Sequence, residues 1–239
     1  MSKLFQIIKW VMLIFLLIIV LGFTEKKSSR QLVYLKKIDI ERSEEKFVDV
    51  DLVLKYIKKN KIEYDDIIFS ELSIYSLEQL LLEHPSIKSA EVYVYQNGEI
   101  NIKIKQRKAI ARFRSHNEDY YLDQEGYKMP LSKHYTSRVV ILTGDIQNID
   151  IGSVYKFIDY ISSNDFWRSQ IIQIDLSADE VILIPRIGNH KIHLGALVNT
   201  SEKLEKLYHF YRQAMPIMGW QTYSDINLKY NNQIICTKK

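Results

Sequence analysis

Ser76-Leu-Glu-Gln-Leu-Leu-Leu-Glu-His-Pro85, followed by Ile87-Lys-Ser-Ala-Glu-Val-Tyr-Val-Tyr95, Asn97-Gly98 and Glu99-Ile-Asn-Ile-Lys-Ile-Lys105, is the stretch on which the fold turns. Leu77, Leu80 and Leu81 fall at helical spacing. Ser76 and Gln79 read as a capping box at the start of that helix. Pro85 disfavours helical geometry at His84 and ends it. Two strands follow around Asn97-Gly98, a strong hairpin signal. A two-residue turn would set Tyr93 and Tyr95 opposite Ile102 and Ile100. A three-residue loop with a bulge would set Val92 and Val94 there instead, because one residue of slip exchanges the faces. The bulged form is favoured, since it gives the helix an aliphatic face to cover and leaves the tyrosines outside.

Upstream, Lys36–Arg42 alternates as a strand. Asp49 reads as the cap of a helix with the stripe Leu52, Val53, Tyr56, Ile57, and Asn60 as its stop. Ile67–Phe69 is a short extended piece. Residues 36–105 therefore read β-α-α-β-β. The N-terminus differs: Trp10–Phe23 carries no polar side chain, and Leu4–Phe23 would span about 30 Å as a helix. Lys9 can snorkel and Trp10 suits an interface. Leu21-Gly-Phe-Thr-Glu25 lacks a small-x-small cleavage site, so a retained anchor is expected rather than a cleaved leader. Residues 1–24 read as tip and transmembrane anchor, 25–35 as linker.

From Gln106 the chain turns strand-rich. Ile110–Arg114, Tyr120–Leu122, Val139–Leu142, Gln170–Leu176, Val181–Pro185 and Lys191–Leu194 read as strands, the last two a hairpin through Gly188-Asn189. Two helices are expected. One has the stripe Val154, Phe157, Ile158, Ile161 capped by Ser153. The other has Leu204, Leu207, Tyr208, Tyr211 capped by Thr200 or Ser201. Ser224–Tyr230 alternates, Asn231-Asn232 reads as a turn or bulge, and Gln233–Cys236 closes the chain. The fold class is α+β: an N-terminal transmembrane helix, a small two-helix domain at 36–105, a mixed β-rich domain with two helices at 106–236, and a tail at 237–239.

The order of these pieces carries a resemblance. Gln106-Arg-Lys-Ala-Ile-Ala-Arg-Phe113 comes off the hairpin, and Tyr120-Tyr-Leu-Asp-Gln-Glu-Gly126 leads into Tyr127-Lys-Met-Pro-Leu-Ser132. With the preceding helix–Pro–hairpin, this resembles the FtsQ/DivIB family of bacterial division proteins. The resemblance implies a POTRA-like domain at 36–105 and an FtsQ-type β domain at 106–236. It also implies a cytoplasmic N-terminus with the bulk outside the inner membrane at the septum, and FtsB and FtsL as partners. In that family the terminal strands take a β-segment of FtsB. Tyr230 in Asn227-Leu-Lys-Tyr-Asn231 matches the aromatic of the family's strand. Asn227 stands where an Asp is common, and Gln233-Ile234 where small residues are usual. The expected partner-binding residues are Ile226, Leu228, Tyr230, Asn232 and Ile234. Read from the residues alone, the terminal strand could equally close the domain as serve as an open edge; the resemblance favours the edge.

Chemistry is sparse. There is no Walker loop, Gly-x-Gly-x-x-Gly or His-Glu-x-x-His, and Ser132 lacks a nucleophile-elbow context. No enzymatic activity, cofactor or metal is expected. His190 and His193, three apart on a strand, fall on opposite faces. His84 reads as a cation at a helix end, His134 and His209 as surface residues. Asp123 and Glu125 read as solvated turn formers. Arg107 is read as a domain-junction residue, either a solvated edge or a group orienting the domains through a carboxylate. A net charge of +4 is no nucleic-acid footprint, and the lone Cys236 allows no internal disulfide. Sixteen tyrosines suit interfaces. The competing class is a POTRA-type chaperone or secretion component that binds extended polypeptides at Ala90–Lys105.

Overall fold

The computed structural model describes residues 2–29, 31–64, 66–144, 150–177 and 180–239, and of residues 2–4, 20–29 and 70 the backbone only. Two compact units emerge. The first comprises Met1–Glu44 and Val48–Gln106, the second Glu45–Phe47 and Arg107–Lys239.

The first unit opens with α1, Ser2–Ser29. The expected anchor Leu4–Phe23 falls within it, with the side chains of Leu4 and Phe23 outside the described set. Between them, apolar side chains stand exposed on all sides, from Phe5 (75%) through Trp10 (66%) to Ile19 (41%). Among the described residues no helix is long and apolar enough to cross a membrane. The expected linker 25–35 is instead taken up by the end of α1 and the start of β1, Leu32–Ile40, which begins four residues before the expected strand.

Then come α2 (Val50–Lys59), β2 (Ile67–Ile68), a 3-10 turn at Phe69–Glu71, α3 (Ile74–Leu82), β3 (Ile87–Val94) and β4 (Glu99–Gln106). The sheet order is β2-β1-β4-β3. Asp49 caps α2 by accepting the Leu52 N–H at 2.7 Å, and Asn60 ends it. The cap of α3 is Ser73, not Ser76: its Oγ accepts the Ser76 N–H, and the expected capping box does not form. Val92 pairs with Ile102 and Val94 with Ile100, the bulged register. Leu77, Leu81, Ile100, Ile102 and Ile104 are then fully buried, while Tyr93 and Tyr95 lie outside.

The second unit is a nine-stranded sheet in the order β13-β12-β11-β10-β9-β8-β5-β6-β7. Its strands are β5 (Ala109–Arg114), β6 (Asp119–Asp123), β7 (Lys128–Met129), β8 (Val140–Gly144), β9 (Ile171–Leu176), β10 (Val181–Pro185), β11 (Lys191–Gly195), β12 (Tyr223–Asn227) and β13 (Ile235–Lys238). Among the described residues four helices accompany them, two more than expected: α4 (Ile151–Ser163), α5 (Asp165–Gln170), α6 (Thr200–Gln213) and α7 (Met215–Met218). The α4 stripe Val154, Phe157, Ile158, Ile161 and α6 residues Leu204, Leu207 and Tyr211 join Leu142, Ile174, Leu183, Ile192 and Ile226 in one core. Asp150 caps α4, and Ser153, the expected cap, donates its hydroxyl to Asp150. Asn199, in the left-handed region at φ 52°, precedes α6 without a side-chain cap.

Candidate functional site: the C-terminal edge of the β domain

The edge is built from the sequence that follows α6. β12 is flanked on both sides, parallel to β11 and antiparallel to β13. Its inward residues belong to the core. Ile226 and Leu228 are both 0% exposed, and the Leu228 N–H donates to the His193 carbonyl at 2.9 Å. Neither side chain is free to meet a partner, which corrects the expectation for these two. Their alternation with polar residues marks the inner face of a covered strand.

The outermost strand is β13, beyond the turn. Tyr230 is 49% exposed, Asn232 is exposed, and Ile234 packs partly against the core together with Cys236. Burial pushes the Cys236 thiol upward in pKa. Ile235, Thr237 and Lys238 are exposed. Thr237 and Lys238 of the segment expected as a tail, 237–239, are therefore the far half of this strand. Lys239 donates its N–H to Thr222 O at 3.1 Å, and Ser224 donates its hydroxyl to Thr237 O at 3.3 Å. Strand alternation then turns the N–H of Lys238 to the open side. Thr237 and Lys238 were missed because nothing in a terminal Thr-Lys-Lys distinguishes a strand from a frayed end.

Two side-chain systems hold the edge in place. Lys206 of α6 donates to the carbonyls of Tyr230 (2.8 Å) and Asn231 (2.7 Å), fixing the turn into β13. On the opposite face of the sheet, His193 lies between Glu180 (Nδ1, 3.0 Å) and Asp225 (Nε2, 2.8 Å), and Lys229 joins Glu180 at 2.6 Å. The Lys229 ammonium, with His193, holds the Glu180 carboxyl below its usual range. His193, with Ser224, does the same for Asp225. His190 is separate: 2% exposed, it meets Tyr211 Oη at 2.7 Å, and burial lowers its pKa.

Arg107, expected at the domain junction, engages two carboxylates of its own unit, Asp123 at 2.7 Å and Glu125 at 3.0 Å. Asp123 is not the expected solvated turn former. It is 2% exposed, and its Oδ1 accepts the N–H groups of Glu125 and Tyr127 at 2.9 and 2.8 Å. Gly126 follows at φ +82°. This is the physical content of the Leu-Asp-x-x-Gly turn. His84 also departs from expectation: its Nδ1 accepts the Ser86 N–H, and burial lowers its pKa, so it is held neutral rather than as a cation. Among the described residues no group of three or more His, Cys, Asp or Glu side chains is placed to hold a metal ion.

A small sheet domain with two helices is followed by a larger mixed sheet whose order ends on β13. A model of the POTRA-like domain matches residues 36–105. The family model described as FtsQ/DivIB, C-terminal related, matches residues 108–237, more than half of the chain, and the chain belongs to that family. No curated protein matches it significantly. The family's role is that of a cell-division scaffold, and its domains are non-catalytic.

Proposed function

We propose that the chain is a single-pass inner-membrane scaffold of the division septum that holds FtsB, paired with FtsL, by strand addition to β13. In this way it helps regulate septal peptidoglycan synthesis. The observation that carries the reading is the place of β13 at the end of the nine-stranded order, with Ile235, Thr237 and Lys238 exposed along it. Outward main-chain groups supply affinity, and alternate side chains supply specificity. The partner-facing set is Tyr230, Asn232, Ile235, Thr237 and Lys238, with Ile234 turned to the core.

The anchor rests on α1. An apolar surface exposed all round a helix is stable only when something apolar covers it, and a bilayer does so. The likeness to the family puts the N-terminus in the cytoplasm and the chain after α1 outside it.

The chaperone reading at Ala90–Lys105 is disfavoured by one contact. Glu78 of α3 accepts the Val92 N–H at 2.8 Å, so an extended substrate would meet an edge already partly satisfied. Depletion in cells tests the division reading: filaments with unfinished septa are expected, and normal division would reject it.

A further inference from the structure

We propose that one end of the second unit carries a membrane-contact patch, an apolar cluster flanked by cations that docks on the anionic surface of a lipid bilayer. Ile187 lies in the turn from β10 to β11, and Ile217 and Met218 lie in α7. Their side chains are 46%, 84% and 46% exposed. Large apolar side chains grouped in the open mark an interaction surface. Trp220 follows two residues after Met218, packed partly against the core with its ring 5.1 Å from that of Tyr211. A tryptophan at such a border suits the headgroup level of a bilayer.

The patch is built by the fold itself. Gly188 sits at φ +105°, and a Cβ there would stand 2.9 Å from Trp220 O. Only glycine lets the turn come this close, and it brings Ile187 beside the exit of α7. The Gly219 N–H donates to Met215 O at 2.9 Å, and the Thr222 hydroxyl donates to Met218 O, which closes α7 before Trp220. Strand directions fix which end this is. β5, β8 and β9 run parallel, and Pro185, just before the turn, pairs with Ile171 at the start of β9. The patch therefore lies at the end where β5 begins and the chain, coming from α1, enters the unit. The turn between β5 and β6 lies at the other end.

Charge selects the occupant. Arg186 and Lys191 flank the β10–β11 turn, Arg212 stands near the end of α6, and all three are exposed. Lys239 donates its ammonium to Gln221 Oε1 at 3.2 Å, next to Trp220. No Asp or Glu occurs from Val181 to Ser201, from Lys206 to Ser224, or after Asp225, and Asp225 is itself engaged by His193. Apolar side chains among cations, without acids, complement an anionic lipid surface, where insertion and charge attraction add. A second copy of the chain would bring like charge to the same place.

The inference rests on the reading of α1 as an anchor, and the test separates the two. The full-length chain carrying Cys236→Ser is reconstituted into nanodiscs with and without phosphatidylglycerol. One cysteine is introduced by Ile217→Cys, or by Asn117→Cys in the β5–β6 turn as the reference, and labelled with NBD. Quenching by doxyl-labelled lipid is expected at Ile217→Cys in the phosphatidylglycerol discs and not at Asn117→Cys, and molar salt should reverse it. Arg186→Gln and Lys239→Gln should each lower the docked-to-free ratio by about fivefold. Should Cys236→Ser misfold, hydrogen exchange of the parent chain gives the same reading, with the amides of residues 217–221 slowed in phosphatidylglycerol discs. An inserted chain whose Ile217→Cys label stays unquenched would overturn the patch and leave the anchor standing. A chain recovered outside the discs would overturn both. Equal quenching at Asn117→Cys, indifference to lipid charge, or shielding that arises only when the FtsB ectodomain is added would also overturn it, the last by making the cover a protein.

Discussion

Lys238→Pro perturbs the β13 edge with the least collateral damage. The N–H of Lys239 points inward to Thr222 O, so the Lys238 N–H points outward, and proline there removes no internal ladder bond. Proline is tolerated on edge strands in this orientation. The side chain is exposed, so the expected change in folding stability is within about 1 kcal/mol. For a partner strand the change is larger. One main-chain donor disappears, about 0.5–1.5 kcal/mol, and the ring stands where the partner's backbone must approach. Together these should weaken binding by at least about tenfold, the equivalent of about 1.4 kcal/mol. The assay is calorimetric titration of the full-length variant with the FtsB ectodomain, alongside a thermal melt. Parental affinity in a folded Lys238→Pro chain would refute strand addition at β13. A melt lowered by several degrees would refute the assigned orientation of the Lys238 N–H.

Leu228→Ala should cost about 2–5 kcal/mol as a core truncation, read by denaturant unfolding. Tyr230→Ala should leave stability within about 0.5 kcal/mol while weakening FtsB binding. Arg107→Ala removes the partner of a carboxylate that is 2% exposed; the loss should be about 2–4 kcal/mol, against near zero for the exposed Lys108→Ala. The pH dependence follows from His190, whose folded pKa is depressed by burial from 6.5. The unfolded chain binds that proton first as pH falls, so the contribution is complete above about pH 6.5 and is lost as pH drops through that value toward the folded pKa. Urea midpoints between about pH 7.5 and 5.5 should therefore fall, and His190→Gln should flatten the slope. Glu180 and Asp225, whose pKa values are also depressed, act in the same direction in a lower window, below about pH 4.5.

Element order was legible because period and punctuation agree. The α2 stripe lies between Asp49 and Asn60, and Asn97-Gly98 separates two alternating runs. Caps were read one to three residues late, at Ser76 for Ser73, Ser153 for Asp150, and Thr200 for Asn199. In each case more than one cap-forming residue lies within a turn, and tertiary packing decides where the helix must begin. Ser76 and Ser153 serve the true caps, one through its N–H and one also through its hydroxyl. That β12 is covered and β13 outermost is not legible in the sequence for a related reason. Alternation at Ile226 and Leu228 reports a strand with one buried face, and it is silent about whether another strand lies beyond. Asp123 shows the converse, since a charged residue in a turn looks solvated until its three hydrogen-bonded partners are known.

The sheet margins differ in a way that bears on function. A sheet margin attracts any extended chain unless something interrupts it. On β3, Glu78 occupies the Val92 N–H, at the expense of fixing a carboxylate that solvent would otherwise hydrate. β7 is two residues long, with Met129 buried, and offers too short a run to template a partner. β13 has neither device, and its turn is fastened by Lys206 to two carbonyls. On the proposed reading, a second chain completes the ladder along the four residues of β13. Lys238 and Lys239 keep that margin from pairing with copies of itself through like-charge repulsion, so a complementary partner strand should be neutral or acidic opposite them.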